Sequence, residues 1–229
     1  MDNLAVDPEH DEVDPEDDDD VHDPEDDDDV HVIVFPPELL QEIEEQNRRC
    51  LMVMLLNPKV QKMVPMTSAL LKAWRLTGSV ECRVVVDDSK ALFQFESESD
   101  LLWVLDQEPW SFNDWMLVVD RFDRRDEPDY LRFMNFWVEI VGIPWNYRND
   151  AVIKRIGSVV GEVLEIHEQG PGVRARIRVD VNEGLEFERR VLFERSDEDV
   201  EVRFVYEKLK MFCQTCGSLA HHKARCPDE

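Results

Sequence analysis

Charge is segregated along this chain so sharply that it decides which residues can enter a core. Residues 1–47 hold 21 acidic side chains and no lysine or arginine, so Arg48 is the first fixed cation. Val13 to Asp20 and Val21 to Asp29 are two copies of one degenerate unit ending in Asp-Pro-Glu-Asp-Asp-Asp-Asp. Carboxylates at that density repel one another, and too few apolar side chains accompany them to offset the entropy of folding. Residues 1–34 are therefore predicted to be a disordered acidic tail. Of the 52 acids, 31 remain in residues 48–229 against all 26 bases, so the net charge of −26 shrinks to −5 there. That segment is nearly balanced and long enough to bury a substantial core. Overall acidity thus does not exclude a nucleic-acid partner. His10, His22 and His31 lie among the acids with nothing to fix their geometry, and no site is assigned to them.

The longest unbroken apolar run, Cys50 to Leu56, is seven residues, against the roughly 20 that a bilayer-spanning helix needs. No basic segment followed by an apolar one opens the chain. The expectation is a protein of the nucleus or cytoplasm, neither secreted nor membrane-bound. Three of the five cysteines crowd into the last 17 residues, while Cys50 and Cys82 sit in apolar, strand-like runs. That distribution suits thiols in a reducing compartment and not a disulfide framework.

Beyond the tail, residues 35–49 read as a lead-in helix opened by proline. Over 50–122 the pattern is βαββαβ. A strand apolar on both faces at 50–56 precedes a helix over 65–75 with Met66, Ala69, Leu70, Ala73 and Trp74 on one face. Two alternating strands follow at 79–86 and 90–95, then a helix starting at Ser97, with Asp100 as its capping-box partner, and a last strand at 115–122. This order predicts an α+β, ferredoxin-like unit of the RNA-recognition-motif type. Its central strands, 50–56 and 90–95, lack the aromatics that stack bases. If Phe93 and Phe95 pack on the helices, the other face offers Lys90, Leu92 and Gln94, with Met52 and Met54 or Leu51 and Val53 from the first strand, and the second half of the chain is expected to cover it. After a linker at 123–132, a second α+β unit spans 133–207, with strands near 136–142, 162–168, 172–181, 185–195 and 200–206 and a helix near 149–160 capped by Asn149. Trp110, Phe112, Trp115, Trp137 and Trp145 flank or lie within strands and are expected in cores.

Residues 208–229 carry the most specific chemistry. Cys213-x2-Cys216-x4-His221-x4-Cys226 is a zinc-knuckle pattern. A two-residue gap lets Cys213 and Cys216 bite a tetrahedral ion from one turn, and His221 and Cys226 close the set. Gly217 supplies the backbone freedom such a turn needs. Four protein ligands leave no open position, so one structural Zn2+ is expected. His222 reads as an exposed donor. Lys208, Lys210, Lys223 and Arg225 surround the site and suit phosphate contacts. Arg174, Arg176 and Arg178 share one strand face at intervals of about 6.6–6.8 Å. They are either a phosphate-tracking strip or cross-strand partners of Glu186, Glu188 or Glu194.

Several stretches in order resemble one plant family. They are Leu92-Phe93-Gln94-Phe95, Glu108-Pro109-Trp110-Ser111-Phe112, Phe136-Trp137-Val138-Glu139-Ile140-Val141-Gly142-Ile143-Pro144, Ile156-Gly157, Ala175-Arg176-Ile177-Arg178-Val179-Asp180, and Tyr206-Glu207-Lys208-Leu209 leading into the knuckle. The family comprises Gag-like, first-reading-frame proteins of LINE-type retrotransposons and their genomic relatives, with an uncharacterised domain followed by a CCHC knuckle. Lys210 stands where that family usually has proline, and Ala220 where it commonly has glycine. The resemblance implies non-catalytic binding of single-stranded RNA or DNA. No reverse-transcriptase or endonuclease constellation is visible, and no enzyme is expected. Self-association is a further expectation. The competing expectation is a domesticated interaction adaptor whose acidic tail recruits basic proteins.

Overall fold

The computed structural model describes residues 33–85, 89–169, 172–193 and 199–227. The expected tail lies outside the described residues as far as residue 32. Residues 37–229 form one compact unit. It opens with helix α1 (Pro37–Arg48) and contains two antiparallel five-stranded sheets.

The first sheet is built from β1 (Cys50–Leu55), β2 (Val80–Val84), β3 (Lys90–Phe95), β4 (Trp110–Phe112) and β5 (Trp115–Arg121), in the order β2-β3-β1-β5-β4. Helix α2 (Met63–Trp74) and helix α3 (Glu98–Asp106) are the two predicted over this stretch. The short edge strand β4 was not foreseen. It forms a hairpin with β5, with Trp110 opposite Leu117. β1 is central and apolar throughout, as a strand buried on both faces must be. Leu51, Val53, Leu55, Ala91, Phe93, Phe95, Leu117 and Val119 share one core with Leu70, Trp74, Leu101 and Val104 of the helices. Trp74 meets Phe93 edge-on, with ring centroids 4.8 Å apart, a geometry worth about 0.5–1.5 kcal/mol beyond its area.

Ser97 caps α3, but its hydroxyl accepts from the Ser99 amide. Asp100 does not return the capping bond. Its carboxylate accepts from the Gly78 amide at 2.9 Å and from Thr77, tying α3 to the loop before β2. The Gly78 amide is also the main influence holding its carboxyl below the usual range.

The alternate residues of the same strands, Met52, Met116 and Val118, belong to the other core. There they meet residues of the second sheet, which covers this face as expected. That sheet contains β6 (Phe133–Val141), β7 (Glu162–Gln169), β8 (Gly172–Asp180), β9 (Glu188–Leu192) and β10 (Asp199–Tyr206), in the order β7-β8-β6-β10-β9. Helix α4 (Asp150–Gly157), capped by Asn149 as predicted, adds Ile153 and Ile156 to the same core. Phe136, Val138, Ile140, Ala175, Ile177, Val202 and Phe204 are its centre.

Residues 123–132, expected as a linker, are tightly held. Arg124 bridges Asp120 and Asp129, the Leu131 amide donates to Asp120, and Leu131 itself is buried. Beside this junction Glu108 is buried, and Asn135 donates to its carboxyl at 2.7 Å. Burial pushes the Glu108 carboxyl up to about 8, against the opposing effects of Asn135 and Arg176. The folded state therefore keeps a proton that the unfolded chain releases above its ordinary carboxylate value. Stability from this group is complete below that value and is lost as pH rises through about 8. We expect Glu108→Gln, which mimics the neutral acid, to stabilise the protein by about 1–3 kcal/mol more at pH 8 than at pH 5. Urea melts at the two pH values check this, and a pH-independent difference would contradict it.

Candidate metal centre

The knuckle is seated in the fold. After β10 the Glu207 amide donates to the Trp137 carbonyl, and the Met211 amide donates to the Asp114 carbonyl in the β4–β5 turn. Phe212 stacks on Phe187 with centroids 4.8 Å apart, and Leu219 is fully buried in the second core. The amide of Leu185 donates to the Gly217 carbonyl at 3.1 Å. Gly217 has φ of +77°, and a Cβ there would stand 2.5 Å from the Leu185 carbonyl oxygen. Glycine is thus required both for the ligand turn and for its docking.

Within this frame the Gly217 amide donates to the Cys213 carbonyl, and the Cys213 amide donates to the Ser218 carbonyl, each at 2.8 Å. These bonds fold Cys213 and Cys216 into one tight turn. The ligand atoms of Cys213, Cys216, His221 and Cys226 all lie within 4.8 Å of one another. A zinc tetrahedron with these donors has edges of about 3.5–3.8 Å, and Cys216 Sγ stands 3.4 Å from His221 Nε2. The donor set and its spacing fit zinc. Burial raises the Cys213 thiol, but the amides of Cys216 and Thr215 and the thiols of Cys216 and Cys226 outweigh it and bring it down to about 6. Free Cys50, by contrast, is buried with its thiol on the Gln46 carbonyl, and burial pushes its pKa up.

Lys208 and Lys210 are exposed just before the knuckle, and Lys208 Nζ donates to the Gln107 carbonyl at 3.0 Å. Lys223 and Arg225 lie on an exposed 3-10 turn between the last two ligands, and His222 is exposed at its start. His222, Lys223 and Arg225 therefore lie between the last two ligands, whereas Lys208 and Lys210 precede the first in sequence and line a cleft with Pro109 and Trp110.

Arg174, Arg176 and Arg178 do share one face of β8, but the acids proposed for them are different ones. Arg174 makes a two-pronged bond to Glu207, at 2.5 and 2.9 Å, with its guanidinium 3.8 Å over the Trp137 ring. Arg176 reaches Asp106 and the Leu105 carbonyl at the end of α3, each at 3.3 Å. Arg178 pairs with Asp129 and with Glu162, and lies over Phe133. The neighbours of β8 are β6 and β7, whereas Glu186 and Glu188 lie at β9, across the sheet. Glu194 is outside the described residues. Two aromatic assignments also change. Trp137 is half-buried on this charged face, 5.0 Å from His167, and Trp145 is 83% exposed in the turn after β6. Trp115 is buried, and Trp110 and Phe112 pack against the first core as expected.

Residues 43–129 match the family described as a domain of unknown function, DUF4283, and residues 179–228 match a zinc-knuckle family. The layout of that domain followed by a CCHC knuckle is therefore present. The knuckle match starts within β8 and so takes in the segment on which the ligand turn docks. The uncharacterized protein At4g02000 of Arabidopsis thaliana is 31% identical over 134 residues, which cover 56% of this chain and 42% of that protein. Among solved structures, a chain from an RNA 3' processing ternary complex of rna15, hrp1 and anchor RNA aligns over 68% of this chain and 95% of its own length, at 15% identity and a TM-score of 0.30.

Two outcomes follow from this geometry. Cobalt added to the metal-free chain is expected to give a tetrahedral, thiolate-ligated absorption spectrum, and Cys216→Ser to diminish its thiolate intensity, because one of three thiolates is lost. Arg176→Ala should lower stability by about 0.5–1.5 kcal/mol, because it removes the guanidinium's bonds from β8 to Asp106 and the Leu105 carbonyl. Thermal melting checks the second, and an unchanged midpoint would contradict it.

Proposed function

We propose that this chain is a non-catalytic, Gag-like, retrotransposon-derived protein that binds single-stranded RNA or DNA, with one structural zinc ion. The observation that carries this reading is a docked knuckle with exposed Lys223 and Arg225 on it and exposed Lys208 and Lys210 on the segment leading into it. Lys208 and Lys210 line a cleft of about 400 Å³ together with Pro109 and Trp110, and no acid lines it. Lys223 and Arg225 sit on the knuckle itself. Such pairing of cations with aromatic and apolar walls suits phosphate and base of an unpaired strand.

The order β2-β3-β1-β5 with two helices against one face supports a ferredoxin-like description of the first unit. Its opposite face, which an RNA-recognition motif uses for bases, is buried beneath the second sheet. Binding must therefore use the knuckle and its surroundings. The arginines of β8 enter this reading as residues that position the second sheet, since each is held by a carboxylate.

Anisotropy of a fluorescent oligouridylate tests the proposal. Binding should weaken with salt, and each phosphate-contacting cation removed from Lys208, Lys210, Lys223 and Arg225 should flatten the log–log slope by about 0.7. Deleting residues 1–36 should tighten binding most at low salt, where its carboxylates are least screened. Absence of binding by both forms at about 50 mM salt would overturn the reading in favour of the adaptor.

A further inference from the structure

A second cleft, of about 500 Å³, lies between the β1–α2 loop and the knuckle. Pro58 and Val60 line it on the loop side, Ala220 and Ala224 on the knuckle side, with Lys59 and Arg225 among its lining residues. We propose that this cleft is a nucleotide subsite, taking a base of a single strand against its apolar walls and the adjoining phosphate on Lys59 and Arg225. This proposal rests on the nucleic-acid reading above and adds a contact surface from the first sheet that no knuckle motif supplies.

Three observations support it. Both walls are fixed before any ligand arrives. On the loop side, buried Gln61 accepts from the Asn57 amide at 3.0 Å and donates to the carbonyls of Phe112 and Trp115 at 3.0 and 3.2 Å. The amides of Val60 and Gln61 both donate to the Asn57 carbonyl. On the knuckle side, the ring of His222 accepts from the Ala224 amide at 3.4 Å, and buried Leu219 anchors the ligand loop. A preformed cleft spares a ligand the cost of ordering its site.

The second observation is charge. Residues 48–229 hold 31 acids against 26 lysines and arginines, and no Asp or Glu lines the cleft while Lys59 and Arg225 do. The third is shape and polarity. Its volume falls in the range of small-ligand sites, about 300–1,000 Å³. Val60 is 42% exposed, an apolar side chain left open to solvent, and Ala220 and Ala224 add small apolar side chains to the lining. Cations beside apolar walls match a phosphodiester with a base attached; an acidic peptide would leave the apolar walls unused.

Zinc-loaded full-length protein carrying Ala224→Trp or Val60→Asp tests the inference with a fluorescent oligouridylate. Each variant fills or polarises the cleft while leaving all four ligands in the sequence, although the ligand His221 also lines it. Affinity is expected to drop roughly 5- to 100-fold, the range for losing one well-packed base. Lys59→Ala should flatten the salt slope by about 0.7. An abasic oligomer should bind wild type and the Ala224→Trp variant alike. The cobalt spectrum of each variant must match wild type, which separates loss of the cleft from loss of the knuckle. Full affinity in both cleft variants, with wild type binding, would overturn the subsite and leave the general function standing. Absence of wild-type binding would remove both. Competition by an acidic peptide that the variants abolish, without any effect on the oligomer, would reassign the cleft to a protein partner.

Discussion

Met52, Met116 and Val118 alternate along β1 and β5 with the residues that pack under α2 and α3, yet they are buried as well. A sheet with two apolar faces and helices on only one of them cannot be stable alone, because each square ångström of apolar surface returned to water costs about 25 cal/mol. Phe136, Val138, Phe204 and their neighbours meet the same need from the other side. Burial of this shared interface makes residues 37–229 one unit. It also removes from use the sheet face on which a solitary RNA-recognition motif would bind bases, so any such function moves to the periphery.

Polar interactions then set the orientation that apolar burial leaves loose. Arg176 runs from β8 to the end of α3, Asn135 donates to buried Glu108, and Arg124 gathers Asp120 and Asp129 at the crossing between the sheets. Apolar packing tolerates sliding, whereas a hydrogen bond to a buried carboxyl does not, because a misplaced partner leaves the group unpaired at a cost of about 1–3 kcal/mol. The arginines of β8 are for this reason parts of the frame.

The knuckle inherits its position from that frame. Its ligand turn closes on Leu185, its leading strand is tied to the β4–β5 turn, and Leu219 is inserted into the common core. Four donors that all lie within 4.8 Å of one another draw the chain on either side of the turn together. A metal bound there would cross-link a segment already tied to the fold through Met211, Gly217 and Leu219. Cations on a freely tethered knuckle would instead face phosphates in no defined order.

Much of this was legible in the order of residues. The four ligands were read from spacing because a tight turn is a local object, and Asn149 capped α4 as a short-range hydrogen bond dictates. The alternation of Val173, Ala175, Ile177 and Val179 with Arg174, Arg176 and Arg178 fixed which side of β8 is buried. That the face of Leu92 needs a cover also followed from its composition, whereas the choice of Met52 over Leu51 and Val53 for that face came from the structure. The partners of the arginines did not follow, because β8 lies between β7 and the sequence-distant β6, and the acids that meet the three guanidinia come from α3, the inter-sheet crossing, β7 and the end of β10. Nor did Asp100, whose carboxylate left the local cap for Gly78, or Trp145, which looks apolar in sequence but stands in solvent. The cleft between Val60 and Ala224 joins residues more than 160 positions apart. Sequence alone thus determined the charge-segregated tail, the strand and helix order apart from β4, and the metal ligands, since each depends on neighbours along the chain. Tertiary structure alone decided which carboxylate each arginine meets and which surfaces flank the metal, because those depend on strand order and on one shared core.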